Sequence, residues 1–457
     1  MECLTVKELV LAMNGNLITG DGKYQVNDVV IDSRKANKDN VFVAIVGESL
    51  DGHKFIKSAY ENGCRVFVKN KDIQIELDEL DAYIIEVEDT NYAIGHIGKY
   101  YKEKFDIPFV GVTGSVGKTT TRDMIHATLS AKFNTLKNEG NFNNHLGVPL
   151  TLFTLEQQHQ CAVIEMGMSN FKEIEHLANI VNPKIGVISN VGLSHVENLG
   201  SQEGVLQAKL EITTNFDENS TLIVNGDDKL LSTLKDKNLN YKLKTFGFEK
   251  NNTIYCKSYN MGEEDLEFKC DINGKEEDFF VPTMGEHNIY NSMAAILVGL
   301  ELGLTVEEIR EGLKNLKLTK MRLDVVKTEK LTIINDAYNA SPDSMNSALS
   351  ILSRYKNRKV AILGDMFEMG DYAEQGHRST GARAAKDSDI LIAIGANSIY
   401  IADEAKNSGM TEGNIYHFNT KEDAISELNT IIQENDVVLV KASRGMKLEE
   451  IVEHLSR

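Results

Sequence analysis

The segment Phe109-Val-Gly-Val-Thr-Gly-Ser-Val-Gly-Lys-Thr-Thr-Thr121 predicts the fold of the middle of the chain. The apolar run from Ile107 to Val112 is typical of a buried strand, and it ends at a turn rich in glycine and serine. Apolar side chains between Met124 and Leu129 then recur at helical spacing, so a helix follows. A strand, a glycine turn and a helix in this order form the context of a phosphate-binding loop.

The residue types of this turn suit a nucleotide phosphate. Gly114 and Gly117 let backbone N–H groups approach an anion, and the helix start adds the positive end of a dipole. Lys118 supplies a charge, and Thr119 supplies a hydroxyl that can bind Mg²⁺. The strict motif has glycine where Val112 stands, so a purely structural glycine turn with a surface lysine is the alternative.

Length and charge limit the class of protein. A chain of 457 residues is too long for one core and favours about three domains. Its 49 Lys and Arg against 68 Asp and Glu give a net charge of −19, which disfavours nucleic acid and anionic membranes as partners. The five scattered cysteines indicate reduced thiols, and no apolar run is long enough to span a membrane. We therefore expect a cytoplasmic protein whose anionic ligand is met by local cations.

Short strands and helices alternate over residues 1–84, which we assign to a small α/β domain. Ser33 and Arg34 directly follow one of these strands. An arginine beside a serine suits an anionic or hydroxyl-rich ligand. From residue types alone, however, a turn with a solvated arginine is the favoured interpretation.

Residues 85–317, which contain the phosphate loop, carry polar residues just after predicted strands. Glu165 ends a strand, where a Mg²⁺-binding acid is needed, although a solvent-facing carboxylate is the alternative. His195 lies just beyond the next strand, in the crevice where open α/β sheets bind ligands, although a hydrogen-bonded filler is equally compatible. Lys209 lies on a predicted helix, and the sequence alone favours a surface position for it.

Two further features complete this middle part. Residues 241–283 are strand-like with polar turns, which predicts a small antiparallel appendage. Asn288 and Asn291 are three residues apart at the start of a helix and therefore share one face. Their amides match the donor and acceptor edges of a purine, with helix capping as the alternative.

In residues 318–457 apolar runs alternate with amphipathic segments. Such alternation predicts a second doubly wound domain with a parallel sheet. Its strands end in polar stretches such as Asp336-Ala-Tyr-Asn-Ala-Ser-Pro342 and Lys441-Ala-Ser-Arg-Gly445. Those ends face the ligand in such folds.

Taken together, these motifs resemble those of the Mur ligase family. The phosphate loop Thr113-Gly-Ser-Val-Gly-Lys-Thr-Thr120 is the form that this family uses, which accounts for Val112. Further matching segments follow in the family's order: Glu165, Asn190–Ser201, Ala208–Ile212, Gly285–Asn291 and Asp336. Asp336–Met345 and Leu363–Gly370, followed by His377, resemble the branch that joins D-alanyl-D-alanine to UDP-N-acetylmuramoyl-tripeptide.

The resemblance implies a three-domain α/β architecture. A small N-terminal domain (1–84) would bind the UDP-sugar, and a central P-loop mononucleotide-binding domain with the antiparallel appendage (85–317) would bind ATP. A C-terminal Rossmann-like domain (318–457) would bind the dipeptide and close on ATP. The implied reaction is ATP-dependent peptide-bond formation through an acyl phosphate, a cytoplasmic step of peptidoglycan synthesis, catalysed by a monomer with Mg²⁺.

The resemblance also assigns residues to roles. The implied catalytic residues are Lys118, His195 and Lys209, the last in carbamylated form. The implied ATP-binding residues are Thr113, Gly114, Ser115, Val116, Gly117, Lys118, Thr119, Thr120, Asn288, Asn291, Arg322 and Asp336. The implied metal ligands are Thr119, Glu165, His195 and Lys209. The expected substrate-binding residues are Ser33, Arg34, Asn141, Asn143, Asn144, Tyr338, Asn339 and Ser341.

Two other functions remain open at this point. One is a sibling ligase, either of the MurE branch or similar to folylpolyglutamate synthase. The MurE branch shares the Asp32-Ser-Arg34 and Asp51-Gly-His53 signatures, but its Asp-Asn-Pro-Arg-type motif is missing from this sequence. The other is a nucleotide switch without catalysis, which would leave His195 and Lys209 unexplained.

Overall fold

The computed structural model describes residues 1–74 and 81–456. They form three α/β units, each built on one larger sheet. A small two-stranded sheet also belongs to the N-terminal unit. The elements of the N-terminal part are β1 (Leu4–Thr5), α1 (Val6–Met13), β2 (Asn16–Thr19), β3 (Gln25–Val26), β4 (Asp28–Val30), β5 (Asn40–Val43), α2 (Ile56–Glu61), β6 (Val66–Asn70), β7 (Tyr83–Val87) and α3 (Thr90–Lys102).

The N-terminal sheet has the order β2-β7-β6-β5-β4, and only its edge strand β2 runs antiparallel to its neighbour. Parallel strands need crossover segments, which is why helices and loops alternate with them. The domain boundary predicted between residues 84 and 85 falls inside β7, because this strand continues to Val87 within the first sheet.

The central part carries the phosphate loop. Its elements are β8 (Phe109–Thr113), α4 (Lys118–Ser130), β9 (Thr135–Lys137), α5 (Gly147–Leu152), β10 (Cys161–Glu165), α6 (Glu173–Val181), β11 (Ile185–Ile188), α7 (Val196–Leu199), α8 (Gln202–Leu210), β12 (Thr221–Asn225), β13 (Lys242–Gly247), β14 (Ile254–Met261), β15 (Leu266–Ile272), β16 (Lys275–Val281), α9 (His287–Glu301) and α10 (Val306–Lys314). The nine-stranded sheet has the order β16-β15-β14-β13-β12-β11-β8-β10-β9.

The position of β8 in this sheet determines where a ligand can bind. All five residues of β8 are buried, and the strand pairs in parallel with β10 on one side and β11 on the other. The chain leaves β8 toward β9 and later returns to β11 on the opposite side, so the carboxyl end of β8 is a topological switch point. Strands β14–β16 form the expected antiparallel appendage, which β14 joins to the central sheet. The predicted range 241–283 begins too early, because β13 pairs in parallel with β12 and belongs to the central sheet.

The C-terminal part forms the third sheet. Its elements are β17 (Asp324–Lys327), β18 (Thr332–Asn335), α11 (Pro342–Leu352), β19 (Lys359–Gly364), α12 (Ala373–Asp387), β20 (Ile390–Ile394), α13 (Ile399–Asn407), β21 (Ile415–Phe418), α14 (Lys421–Ile431), β22 (Val437–Lys441) and α15 (Glu449–Leu455). Its strand order is β17-β18-β22-β19-β20-β21, parallel except at the edge strand β17.

A buried ion pair connects the helix after the phosphate loop with the segment that leads to the third sheet. Arg122 and Asp123 are 0% and 1% exposed, and Arg122 Nη2 donates to Asp123 Oδ1 at 2.8 Å. Lys137 Nζ donates to the same oxygen at 2.8 Å. The backbone N–H and the hydroxyl of Thr319 both donate to Asp123 Oδ2 at 2.8 Å. Burial alone would raise the pKa of Asp123, but the charges of Arg122 and Lys137 outweigh it and keep the pKa below its usual value.

We predict that Asp123→Asn lowers the free energy of unfolding by about 3–5 kcal/mol, because it removes the nearest counter-charge of the buried Arg122 guanidinium and leaves it the Glu165 carboxylate at 3.4 Å. Urea unfolding followed by circular dichroism measures the change. The matched control is Glu434→Gln, which removes a carboxylate from a solvent-exposed pair with Lys330 and should leave the transition nearly unchanged. Equal effects of the two variants would contradict the importance assigned to the buried pair.

Candidate active site

A cavity of about 740 Å³ lies between the central and C-terminal parts of the chain. One wall contains the phosphate loop, the ends of β10 and β11, and the start of α9. The other wall contains residues that follow β18, β19 and β22. Because the carboxyl ends of parallel strands carry the ligand sites of such sheets, two sites of this kind face one another across a single cavity.

The backbone of the phosphate loop requires its glycines. Gly114 and Gly117 have φ angles of 153° and 81°, in the region that side chains disfavour. A Cβ on Gly114 would lie 1.9 Å from the Ser189 Oγ. Helix α4 begins at Lys118, whose Nζ donates to the carbonyls of Gly114 at 2.8 Å and Ser115 at 3.4 Å. The ammonium therefore lies at the mouth of the loop, where it can bind a phosphate.

Two residues after β11 hold this loop from the side. Ser189 Oγ donates to the carbonyl of Val116 at 2.7 Å. Asn190 Nδ2 donates to the same carbonyl at 2.9 Å, and its Oδ1 accepts from the N–H of Val116 at 2.9 Å. Sequence reasoning assigned no role to Ser189 and included Asn190 only within a family segment. Their pairing with the loop depends on the neighbouring positions of β8 and β11, which no local spacing reveals.

Glu165 stands at the carboxyl end of β10, at the wall of the cavity. Its Oε1 accepts from Asn143 Nδ2 at 2.8 Å, and its Oε2 lies 3.4 Å from Arg122 Nη1. Thr119, one residue into α4, lines the same wall. A carboxylate and a hydroxyl beside a phosphate loop fit Mg²⁺, which takes few protein ligands when it is also bound by nucleotide phosphates. The described residues hold no cluster of three or more His, Cys, Asp or Glu side chains arranged for a metal.

His195 joins the two walls of the cavity. Its Nδ1 lies 2.8 Å from Oε2 of Glu368, which belongs to the segment after β19. The two atoms lie within ion-pair distance, although their angle is not that of a well-aligned hydrogen bond. Contact with His195 lowers the pKa of Glu368. Both residues have left-handed backbones, with φ angles of 62° and 60°, a strained conformation that is frequent at functional sites.

Lys209 is buried, and the surface position favoured by residue type alone is wrong. The side chain lies near the carboxyl end of α8 and is 1% exposed. It stands outside the lining of the cavity, but close enough to Lys118 for the two charges to repel. Burial, and then this repulsion, lowers the pKa of Lys209 well below its usual value. Burial therefore makes the neutral amine easier to reach than it is for a lysine in solvent.

Asn288 and Asn291 line the cavity at the first turn of α9. Asn291 Oδ1 accepts from Thr121 Oγ1 at 3.0 Å, and its Nδ2 donates to Asn288 Oδ1 at 2.9 Å. Asn288 Nδ2 donates to the carbonyl of Met284 at 2.7 Å. Among the described residues, no side chain caps the start of α9, so the capping alternative is wrong. Besides facing the cavity, the pair therefore fixes α9 against α4, the helix of the phosphate loop.

The opposite wall contains the C-terminal residues named from the sequence: Arg322, Asp336, Tyr338, Asn339 and Ser341. The Arg322 guanidinium lies 4.2 Å from the ring centroid of Tyr338, a cation–π contact. Asp336 forms an ion pair with Lys441, which also donates to the carbonyl of Asn339 at 2.9 Å. Asn141, Asn143 and Asn144 line the cavity as well, from the loop after β9.

The remaining named residues lie elsewhere. Ser33 and Arg34 belong to the N-terminal part and do not line the cavity. The Arg34 side chain is 87% exposed and pairs with its own neighbour Asp32, as the favoured interpretation of the sequence expected. Thr113 and Gly114 stand behind the cavity wall, and the other named loop residues, Ser115 to Thr120, line it.

Sequence reasoning assigned no site role to six charged residues that line the cavity: Glu173, Asp228, Asp343, Glu368, Lys441 and Arg444. Glu368 belongs to the segment Leu363–Gly370, and Lys441 and Arg444 belong to the polar segment Lys441–Gly445, both of which are named in the sequence analysis. Because these three residues follow predicted strands, their sequence positions indicate a ligand site, but no local pattern indicates which residues pair with one another. The partners His195 and Glu368 come from different sheets, and no sequence period connects them.

Comparison with known proteins identifies the class. Three family models match the chain: the Mur ligase family catalytic domain over residues 25–102, the Mur ligase middle domain over residues 112–299, and the Mur ligase glutamate ligase domain over residues 321–444. The chain belongs to the Mur ligase family. The resemblance stated from the motifs and the expected three-domain α/β architecture are both confirmed.

Individual relatives cover nearly the whole chain. The UDP-N-acetylmuramoyl-tripeptide–D-alanyl-D-alanine ligase of Bacillus subtilis is 38% identical over 99% of this chain and 98% of its own length. The ligase of the same name from Escherichia coli is 32% identical over 100% and 99%. A crystal structure of MurF from Acinetobacter baumannii superposes with a TM-score of 0.91 at 28% identity, covering 100% of this chain and 99% of that chain. MurF ligase from Thermotoga maritima in complex with ADP gives 0.83 at 26% identity, with 94% and 97% covered.

We predict that Gly114→Ala weakens binding of ATP at least about tenfold, because the new methyl group collides with Ser189 and displaces the loop. Calorimetric titration with a non-hydrolysable ATP analogue measures the affinity. The matched control is Gly413→Ala, where an added Cβ meets nothing within 4 Å. Unchanged affinity in Gly114→Ala would contradict the assignment of this loop to the nucleotide.

Proposed function

We propose that this chain is an ATP-dependent peptide ligase that adds D-alanyl-D-alanine to UDP-N-acetylmuramoyl-tripeptide. The observation that carries the proposal is the cavity in which the phosphate loop faces Arg322 and Asp336 of the C-terminal part. The substrates come from the names of relatives that are 38% and 32% identical over nearly the full chain. These names favour this reaction over that of a sibling ligase or a nucleotide switch.

The chemical problem is that a carboxylate is a poor electrophile and repels the γ-phosphate of ATP. Lys118 and the N–H groups at the start of α4 hold the β- and γ-phosphates and offset their charge. The γ-phosphoryl group then passes to the peptide carboxylate, and ADP leaves. The amine of the dipeptide attacks the carbonyl carbon of the acyl phosphate, and phosphate leaves. This amine must be neutral, so its proton is lost to a base before or during attack.

Thr119 and Glu165 would hold one Mg²⁺, and His195 together with carbamylated Lys209 would hold a second. Bound there, Mg²⁺ supplies positive charge that neutralises the phosphates. Asn143 and Arg122 orient the Glu165 carboxylate by their contacts with its two oxygens. The pair of His195 with Glu368 keeps the imidazole at the boundary between the two walls.

The family resemblance implies carbamylation of Lys209, and the burial of this side chain supports it. The neutral amine that burial favours can add to the carbon of CO₂, forming an N–C bond and releasing one proton. The product is an anionic carbamate in place of a cation. Its oxygens bind a metal, whereas the ammonium form repels one.

Arg322 and Asp336 line the cavity. Closure of the C-terminal part over ATP would bring them against the nucleotide and would exclude water that hydrolyses the acyl phosphate. Asn288 and Asn291 would contact the adenine. The UDP-sugar would be held at Ser33 and Arg34, and its sugar or peptide by Asn141, Asn143 and Asn144. Tyr338, Asn339 and Ser341 would hold the dipeptide.

The proposed reaction is a cytoplasmic step of peptidoglycan synthesis, carried out by a monomer in cells that grow and divide. Among residues 1–74 and 81–456, no helix combines the length and apolar character that crossing a bilayer requires. All five cysteines are free thiols, in keeping with a reducing compartment.

We predict that the protein releases phosphate from ATP only when UDP-N-acetylmuramoyl-tripeptide and D-alanyl-D-alanine are both present. A coupled phosphate assay, with mass spectrometry of the UDP-linked product, measures the reaction. Lys118→Ala should lower kcat/KM on the order of 100-fold or more, because it removes the cation of the phosphate loop that would offset the charge of the transferred phosphoryl group. Phosphate release with free amino acids in place of the dipeptide would move the protein to another branch of the family.

We also predict that Lys209→Ala loses activity and regains part of it with added acetate or another short carboxylate. The added anion replaces the carbamate oxygens in the space that the side chain vacates. Initial rates against carboxylate concentration give the rescue, with Lys209→Met as a control that fills the space. No rescue in Lys209→Ala would count against the carbamate.

A further inference from the structure

Four Lys or Arg side chains line the cavity among the described residues: Lys118, Arg322, Lys441 and Arg444. The proposed reaction brings several anions to this cavity, namely the triphosphate, the reacting carboxylate of the tripeptide and the terminal carboxylate of the dipeptide. The last of these is not consumed, so it needs a permanent cationic partner. The proposal below therefore rests on the function proposed above.

Three of these four cations already have an assigned role or a binding partner. Lys118 belongs to the phosphate loop. Lys441 is 3% exposed and is held between the Asp336 carboxylate and the carbonyl of Asn339. Arg322 is stacked on Tyr338, and its buried Nε lacks a hydrogen-bond acceptor in the described part of the chain, as expected of a group that meets the nucleotide.

Arg444 is the remaining cation. It follows β22 and begins a short helical turn, and its side chain is 51% exposed. Only its Nη1 is engaged, with Glu449 Oε1 at 2.7 Å, so its Nε and Nη2 donate to none of the residues that the structure describes. Those two groups form the edge of a guanidinium that binds a carboxylate with two parallel hydrogen bonds.

The surroundings of Arg444 also suit a small dipeptide. The guanidinium lies 6.0 Å from the ring centroid of Tyr338, which already belongs to the loop expected to hold the dipeptide. The exposed ring of Phe367 packs beside Gly445 and gives an apolar surface for methyl groups. A dipeptide is about 7 Å long when extended, so its carboxylate must lie well away from the phosphate loop. Arg444 is on the opposite wall.

We propose that Arg444 binds the terminal carboxylate of D-alanyl-D-alanine and is the residue that selects an acceptor with a free carboxylate. Its ion pair with Glu449 orients the guanidinium so that the edge formed by Nε and Nη2 remains free for the substrate. The ring of Tyr338 contacts both Arg322 and Arg444, at 4.2 and 6.0 Å from its centroid, so the proposed dipeptide site adjoins the proposed nucleotide site.

The test compares Arg444→Gln with the unmodified enzyme on two acceptors, D-alanyl-D-alanine and its C-terminal amide. The KM for the dipeptide should rise about 10- to 100-fold, as expected for loss of a charge-assisted contact, while the KM for ATP and for the UDP-tripeptide stays unchanged. The amide carries no carboxylate, so the variant and the unmodified enzyme should use it equally poorly. Arg444→Lys should restore part of the affinity.

The matched control is Lys447→Gln, which removes a cation from the same exposed turn but outside the cavity lining and should leave every KM unchanged. Three results would overturn the proposal: an unchanged dipeptide KM in Arg444→Gln, an equal loss on the amide, or a rise in KM for ATP or the tripeptide instead. If the unmodified enzyme itself ignores the dipeptide, the proposed function fails, which is a different outcome from failure at Arg444 alone.

Discussion

The buried pair of Arg122 and Asp123 is the interaction on which the geometry of the site depends. Arg122 contacts the Glu165 carboxylate and the carbonyl of Gly140, so it fixes the positions of the carboxyl end of β10 and of the loop after β9. Asp123 binds Thr319 through two hydrogen bonds and thereby fixes the segment that leads to the C-terminal sheet. Since both residues belong to the helix of the phosphate loop, one element positions the proposed metal ligand and the connection between the two walls.

The segment from Thr319 to Leu323, which leads from the central part to the C-terminal sheet, is short and is held by hydrogen bonds at both ends. After Thr319, the N–H of Leu323 donates to Asp336 Oδ1 at 3.2 Å, so the free length is only the few residues between them. Met321 and Leu323 have φ angles of 61° and 52°, and non-glycine residues adopt this conformation at a cost. Arg322 lies between these two residues. The residue that should reach the nucleotide is thus carried on the segment about which the C-terminal part would move.

Local sequence signals were enough to predict the central motif. The strand β8, the glycine turn and α4 lie within the predicted segment because each is encoded by neighbouring residues. The alternation of strands and helices also predicted the parallel C-terminal sheet. The predicted boundary near residue 84 cuts through β7, because the pairing of this strand with β6 and β2 is long-range and has no local signal.

Long-range packing also explains what the sequence could not predict. The burial of Lys209 depends on how α8 packs against the rest of the central part, and a lysine followed by Leu210 and Glu211 carries no sign of it. The contacts of Ser189 and Asn190 with the loop, and of His195 with Glu368, require the order of strands in two sheets. The resemblance to the family implied a functional role for Lys209 and His195, but not the burial of the first or the contact of the second with Glu368.

The most direct test of the central claim, that one nucleotide is held by both walls, is hydrogen–deuterium exchange with a non-hydrolysable ATP analogue and Mg²⁺. The account predicts slower exchange in two separate segments, the phosphate loop 114–120 and the C-terminal segment 319–341. Protection confined to the phosphate loop, with the C-terminal segment unchanged at saturating analogue, would contradict it.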